Sequence, residues 1–163
     1  MTTEGAHGCK RSIACPAHRS SPSPCGGRAL SFQWMAQSFA ELDGLHATVD
    51  RVAFMPSLDA SEDRPFPFVY FITIRNDSSE TVTIKGRKWV VVDAEGGTLV
   101  VEGDGVVGKF PRLPPGESFS YNSYHTIGSD SAAEGAFFGL TESGEPVRVR
   151  IPRFEMKVPA ANS

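Results

Sequence analysis

Gly103, Gly105 and Gly108, followed by Lys109 and Arg112 and preceded by Arg87, are the residues of this chain best suited to holding a small ligand. In a G-x-G-x-x-G pattern the glycines let backbone approach a phosphate, and the pyrophosphate meets the N-terminus of a helix that follows a strand. Here Lys109-Phe110-Pro111 and Pro114-Pro115 follow, and no such helix forms across them. Two readings stay open. In one, successive backbone N–H groups make an anion nest, charged by Lys109, Arg112 and Arg87, for pyrophosphate or a nucleotide. In the other, the glycines serve a turn or bulge between strands. Glu102 and Asp104 lie in the same stretch and disfavour an anion, so the turn is the preferred reading.

Other chemistry is weaker. Tyr121, Ser123 and His125 share one strand face, but side chains at i and i+2 run parallel, and neither an oxyanion turn nor an orienting acid accompanies them. No catalytic residue is assigned, and the chain is expected not to be an enzyme. His46 has no ligand-spaced partner. Asp59, Glu62 and Asp63 lack the ordered alternation of a calcium loop. His7, Cys9, Cys15, His18 and Cys25 lack paired zinc spacings, and the rest of the chain has no cysteine. No metal and no cofactor are expected.

The elements that must position these residues are strands. From Phe66 to Arg75, Phe66, Phe68, Tyr70, Ile72 and Ile74 share one face, and the opposite face is also partly apolar, which marks a central strand. Val147 to Ile151 and Phe154 to Val158 alternate on one side only, with Pro152 allowing a bend between them. Further strands are expected over 46–54, 81–84, 88–93, 98–101, 118–126 and 136–141. Turn residues separate them, as in Glu95-Gly96-Gly97 and Glu142-Ser143-Gly144. Pro56 to Pro65 is expected to be a mobile surface loop. Many short strands without a helical run imply an all-β antiparallel sandwich or barrel. Trp89 is expected in its core.

Composition sets the limits. The 163 residues suffice for one domain with a real core. Residues 1–34, rich in Ser, Pro, Gly and Arg, are expected to be a disordered extension, with Met35 the natural start, 35–159 the sandwich and 160–163 a disordered tail. Lys10, Arg11, Arg19 and Arg28 face only Glu4 in that extension, so totals of 16 basic and 19 acidic residues become 12 against 18 afterwards. An acidic body argues against nucleic acid as a partner. No apolar run is long enough for a membrane span or a secretory signal, and the expected location is the cytoplasm.

Several blocks in order carry a resemblance. They are Tyr70-Phe71-Ile72-Thr73-Ile74-Arg75-Asn76, Gly86-Arg87-Lys88-Trp89, Val101 to Gly108, Pro115-Gly116-Glu117 with Tyr121 and Ser123, and Ile151-Pro152-Arg153-Phe154. Over about residues 46 to 159 the chain resembles the ApaG family of fibronectin type III-like domains, found as small bacterial proteins and within some eukaryotic F-box and polymerase-associated proteins. It departs where Ala136-Phe137-Phe138-Gly139-Leu140 replaces a Gly-x-Tyr-x-Met pattern. The resemblance implies an all-β, antiparallel immunoglobulin/fibronectin type III-like β-sandwich without a catalytic residue set. It implies protein–protein recognition by a sheet face or edge, with an unidentified protein partner. The alternative it implies is pyrophosphate or nucleotide binding at the glycine turn, linked to divalent metal-ion tolerance.

Overall fold

Apolar residues at alternate positions give each strand one face to bury, and two sheets bury those faces against each other. In a computed structural model, residues 38–160 are described; the expected extension at 1–34 and the end of the tail lie outside them. The strands are β1 (Ala40–Glu41), β2 (Leu45–Phe54), β3 (Phe66–Asn76), β4 (Val82–Asp93), β5 (Thr98–Asp104), β6 (Arg112–Leu113), β7 (Ser118–Ile127), β8 (Ser131–Thr141) and β9 (Pro146–Met156). One sheet runs β2-β3-β7; the other runs β1-β9-β8-β4-β5, with β6 also on β4. This is the all-β, fibronectin type III-like sandwich expected. All pairings are antiparallel except the short β1 on β9.

β3 is the central strand of its sheet, as its two-sided apolar pattern required. Its Phe68, Tyr70, Ile72 and Ile74 point inward and are at most 5% exposed. Trp89 and Phe137 meet them from the opposite sheet, equally buried. The Trp89 ring lies 5.0 Å from that of Tyr70 and 5.8 Å from Phe154.

Two expected breaks turn out to be bulges inside continuous strands. The pairs expected at 81–84 and 88–93 are one strand, β4, whose register against β8 slips between Ile84 and Gly86. The two C-terminal strands are likewise one, β9. Ala133 pairs with Phe154 and Gly135 with Ile151, so Pro152 and Arg153 together stand opposite Glu134. A bulge lets proline sit in a strand without breaking a ladder bond. The tiny β1 and β6 were not expected, since two residues carry no periodicity.

Asn76, fully buried, ties three segments together. Its Nδ2 donates to the carbonyls of Glu80 and Leu113 at 2.7 Å, and its Oδ1 accepts from the Ser78 amide and hydroxyl. Its backbone brackets the Pro114–Glu117 turn, accepting from Gly116 at 2.6 Å and donating to Glu117 at 2.9 Å. Every polar atom of this buried amide is thus satisfied.

Candidate functional site

The glycine stretch ends β5 and turns back through a tight hairpin. Val106 and Lys109 exchange both backbone hydrogen bonds, at 2.7 and 3.0 Å, leaving Val107 and Gly108 as the two central turn residues. Their φ angles, 49° and 73°, are both positive, as a two-residue hairpin turn of this hand requires. Val107 is the one non-glycine residue with positive φ among the described residues, a strained position for a β-branched side chain. Gly105, at φ 58°, donates to the Lys85 carbonyl at 2.7 Å, and a Cβ there would collide with the carbonyl oxygen of Lys109. Val106 plugs the core, fully buried, whereas Val107 and Phe110 are more than half exposed.

The candidate anion residues divide between this hairpin and its surroundings. Gly103 pairs with Arg87 in the β4–β5 ladder, and its missing side chain leaves room for the Arg87 guanidinium. Arg87 Nη1 donates to the carbonyls of Asp104 and Gly105 at 3.1 and 3.0 Å, so its charge clamps the turn. Arg112, on β6, is ion-paired with Glu142 at 2.9 Å. The amides of Gly105, Val106 and Lys109 already donate to backbone carbonyls. Within the hairpin itself, Lys109 and the Val107 and Gly108 amides are the donors left for an anion.

The neighbouring strand β7 differs. Phe119, Tyr121, Ser123 and His125 face the interior, as their shared spacing required, but stay only half-buried because β7 is the last strand of its sheet. His125 packs between Tyr70 and Trp89, with ring centroids 4.9 and 5.1 Å away. Burial there lowers its pKa to about 4, keeping the imidazole neutral, and burial raises the phenols of Tyr70 and Tyr121. His125 Nε2, Tyr121 Oη and Trp89 Nε1 are buried without hydrogen-bond partners. With its pKa held that low, the His125 imidazole is a weak general base. Between the β5 and β7 sides lies a cleft of about 270 Å³, lined by Arg64, Val91, Leu99, Thr126 and Ile127 among others.

The outer rim of β7 carries Ser118, Ser120, Asn122 and Tyr124, all exposed. Nothing from Ser118 to Ile127 is a lysine, arginine, aspartate, glutamate or proline. Ten successive residues pair with β3 without a register shift, so the free side of the strand is straight and regular. Sequence reasoning placed the strand but missed this edge. The uncharged run was visible; that it lies at a sheet border depends on strand order.

Elsewhere, Asp59, Glu62 and Asp63 sit exposed on the connection from β2 to β3, and His46 is exposed on β2. No group of three or more His, Cys, Asp or Glu side chains able to hold a metal occurs among the described residues. No helix there is long and apolar enough to cross a membrane.

With the sandwich, the glycine hairpin and the β7 border in view, relatives can be compared. The family model described as the ApaG domain matches residues 56–138, from the β2–β3 connection into β8. The chain belongs to the ApaG family. It is 39% identical to a Vibrio cholerae Protein ApaG over 99 residues, 60% of this chain and 79% of that one. Protein ApaG of Rhodospirillum centenum is 38% identical over 114 residues, 69% of this chain and 88% of its own. Among solved structures, the putative ApaA protein from Bordetella pertussis superposes with a TM-score of 0.62 at 28% identity, covering 76% of this chain and 100% of its own.

Proposed function

We propose that this ApaG-family sandwich is a cytoplasmic, non-enzymatic recognition module that binds a protein partner by taking an extended segment as an added strand on β7. The carrying observation is the unbulged, uncharged ten-residue border of β7. Sheet borders expose unpaired N–H and C=O groups, and proteins ordinarily blunt them with charge, proline or bulges; one left plain is suited to pairing with another chain. Main-chain bonds would supply affinity, and the half-buried Phe119 and Tyr121 would gain cover from the incoming strand's side chains.

A selection from a displayed random-peptide library tests this. Bound peptides are expected to slow amide exchange along β7, and Asn122→Pro is expected to abolish binding by removing a main-chain donor and distorting the border. Peptides that protect only other strands would overturn the reading. The second reading, pyrophosphate or nucleotide binding at the hairpin, is favoured by one observation: Lys109 stands beside the Val107 and Gly108 amides.

A further inference from the structure

Of the exposed apolar residues, the buried polar atoms around His125 and the open borders, the β7 border alone specifies what would fit it. Resting on the reading of β7 as the recognition edge, we infer that one partner it takes is a second copy of this chain. Two β7 strands pair antiparallel about a two-fold axis at Asn122, joining two three-stranded sheets into one of six.

The argument is one of complementarity. A two-fold axis perpendicular to the sheet keeps inward residues facing inward only if each paired position sums to an even number, so one residue must meet its own copy. Asn122 lies at the middle of β7, so centring there aligns almost the whole strand. Ser123 of each copy then stands opposite the copy's Tyr121, His125 opposite Phe119, and Ser120 opposite Tyr124. Each large side chain meets a smaller one or a flat ring, with no like charges opposed. Tyr124, 45% exposed, and the half-buried Phe119 and Tyr121 would all lose solvent contact. Centring on Tyr121 instead would stack tyrosine on tyrosine and shorten the overlap. The other free border of this sheet, β2, has a bulge and two charges at its middle and cannot repeat the arrangement.

Sedimentation equilibrium of the full chain, kept reduced because Cys9, Cys15 and Cys25 could otherwise link copies, reads the result. The mass is expected to rise with concentration from 17.6 kDa toward twice that value. Asn122→Lys and Asn122→Asp each put like charges face to face on the axis, and each is expected to weaken association at least about a hundredfold, since opposed like charges cost several kcal/mol. Mixing the two variants is expected to restore a dimer, because the axis then brings opposite charges together. Thermal melts close to that of the parent establish that the variants fold. A chain monomeric at every concentration overturns the inference, as does self-association that either variant leaves intact or a mixture that fails to re-associate. None of these outcomes touches peptide capture by the monomer, so the recognition reading stands or falls separately.

Discussion

The two borders of the small sheet, β2 and β7, flank the same central strand yet end in opposite ways. β2 breaks register between Val49 and Arg51 and places Asp50 there, accepting from Thr48 at 2.9 Å and from Thr73 at 2.7 Å. Arg51 lies over the Phe71 ring at 5.9 Å. The bulge twists that border, its charges must be desolvated by any pairing strand, and β9 lies across the sandwich from it. β7 has neither bulge nor charge. A fold can therefore close one border and leave the other open without altering the core they share.

The largest test of that comparison removes the core beneath β7. Trp89 touches His125 on β7 and Tyr70 on β3, and Trp89→Ala is expected to cost about 3 to 5 kcal/mol in denaturant unfolding. Amide exchange should accelerate along β7 more than along β2. Equal acceleration on both would show that the borders do not differ in how they are supported.

The pH dependence is next. His125 is neutral in the fold, with its pKa lowered from 6.5 to about 4 by burial. Across that window the unfolded chain binds the extra proton, so stability is full above about pH 6.5 and declines as pH falls through 4. The loss approaches about 3 kcal/mol, from 1.36 kcal/mol per unit. Urea unfolding over this range should show the decline, and His125→Gln should flatten it. A parent and variant with parallel profiles would mean that His125 is not held neutral against Tyr70 and Trp89.

Smaller effects separate β7 from the glycine hairpin. Gly105→Ala is expected to cost about 2 kcal/mol, because a positive φ and a blocking carbonyl both oppose a Cβ. Gly108→Ala should cost about 1 kcal/mol, since its surroundings are open. Calorimetric titration with pyrophosphate is expected to show no saturable binding. A saturable isotherm weakened by Lys109→Ala would move function from β7 to the hairpin.

Much of this was legible from residues. Alternation located β2, β3, β7 and the ends of β4, β8 and β9; the number of strands implied a sandwich or a barrel, and the family resemblance selected the sandwich. Trp89 could be assigned to the core because β-sandwiches bury large aromatics. The bulges at Ile84–Gly86 and Pro152 were misread as breaks, since glycine and proline end strands and also mark bulges. Several residues that carry the family resemblance turn out to be brackets: Asn76 and Gly116 hold a corner, and Gly103 admits the Arg87 clamp. Residues alone could not separate Arg87 as a clamp from Arg87 as an anion ligand, because the difference lies in which oxygens it meets. The β7 border was hidden for a similar reason, as edge position is set by long-range pairing.

The smallest expected effect asks what keeps β2 closed. Replacing Asp50 and Arg51 together by serine removes both charges from the β2 border while leaving its register slip in place. Both side chains are exposed, so unfolding free energy should move by no more than about 0.5 kcal/mol, with the loss of the Asp50–Thr73 bond the main contribution. If geometry closes the border, self-association and peptide capture should match those of the parent, because the bulge still offsets the main-chain groups that an incoming strand must meet. If charge closes it, the variant should gain a second pairing surface and, with β7 still available, form species larger than a dimer in sedimentation. We expect the first result: a displaced row of N–H and C=O groups cannot be realigned without unpairing β2 from β3, whatever side chains flank it.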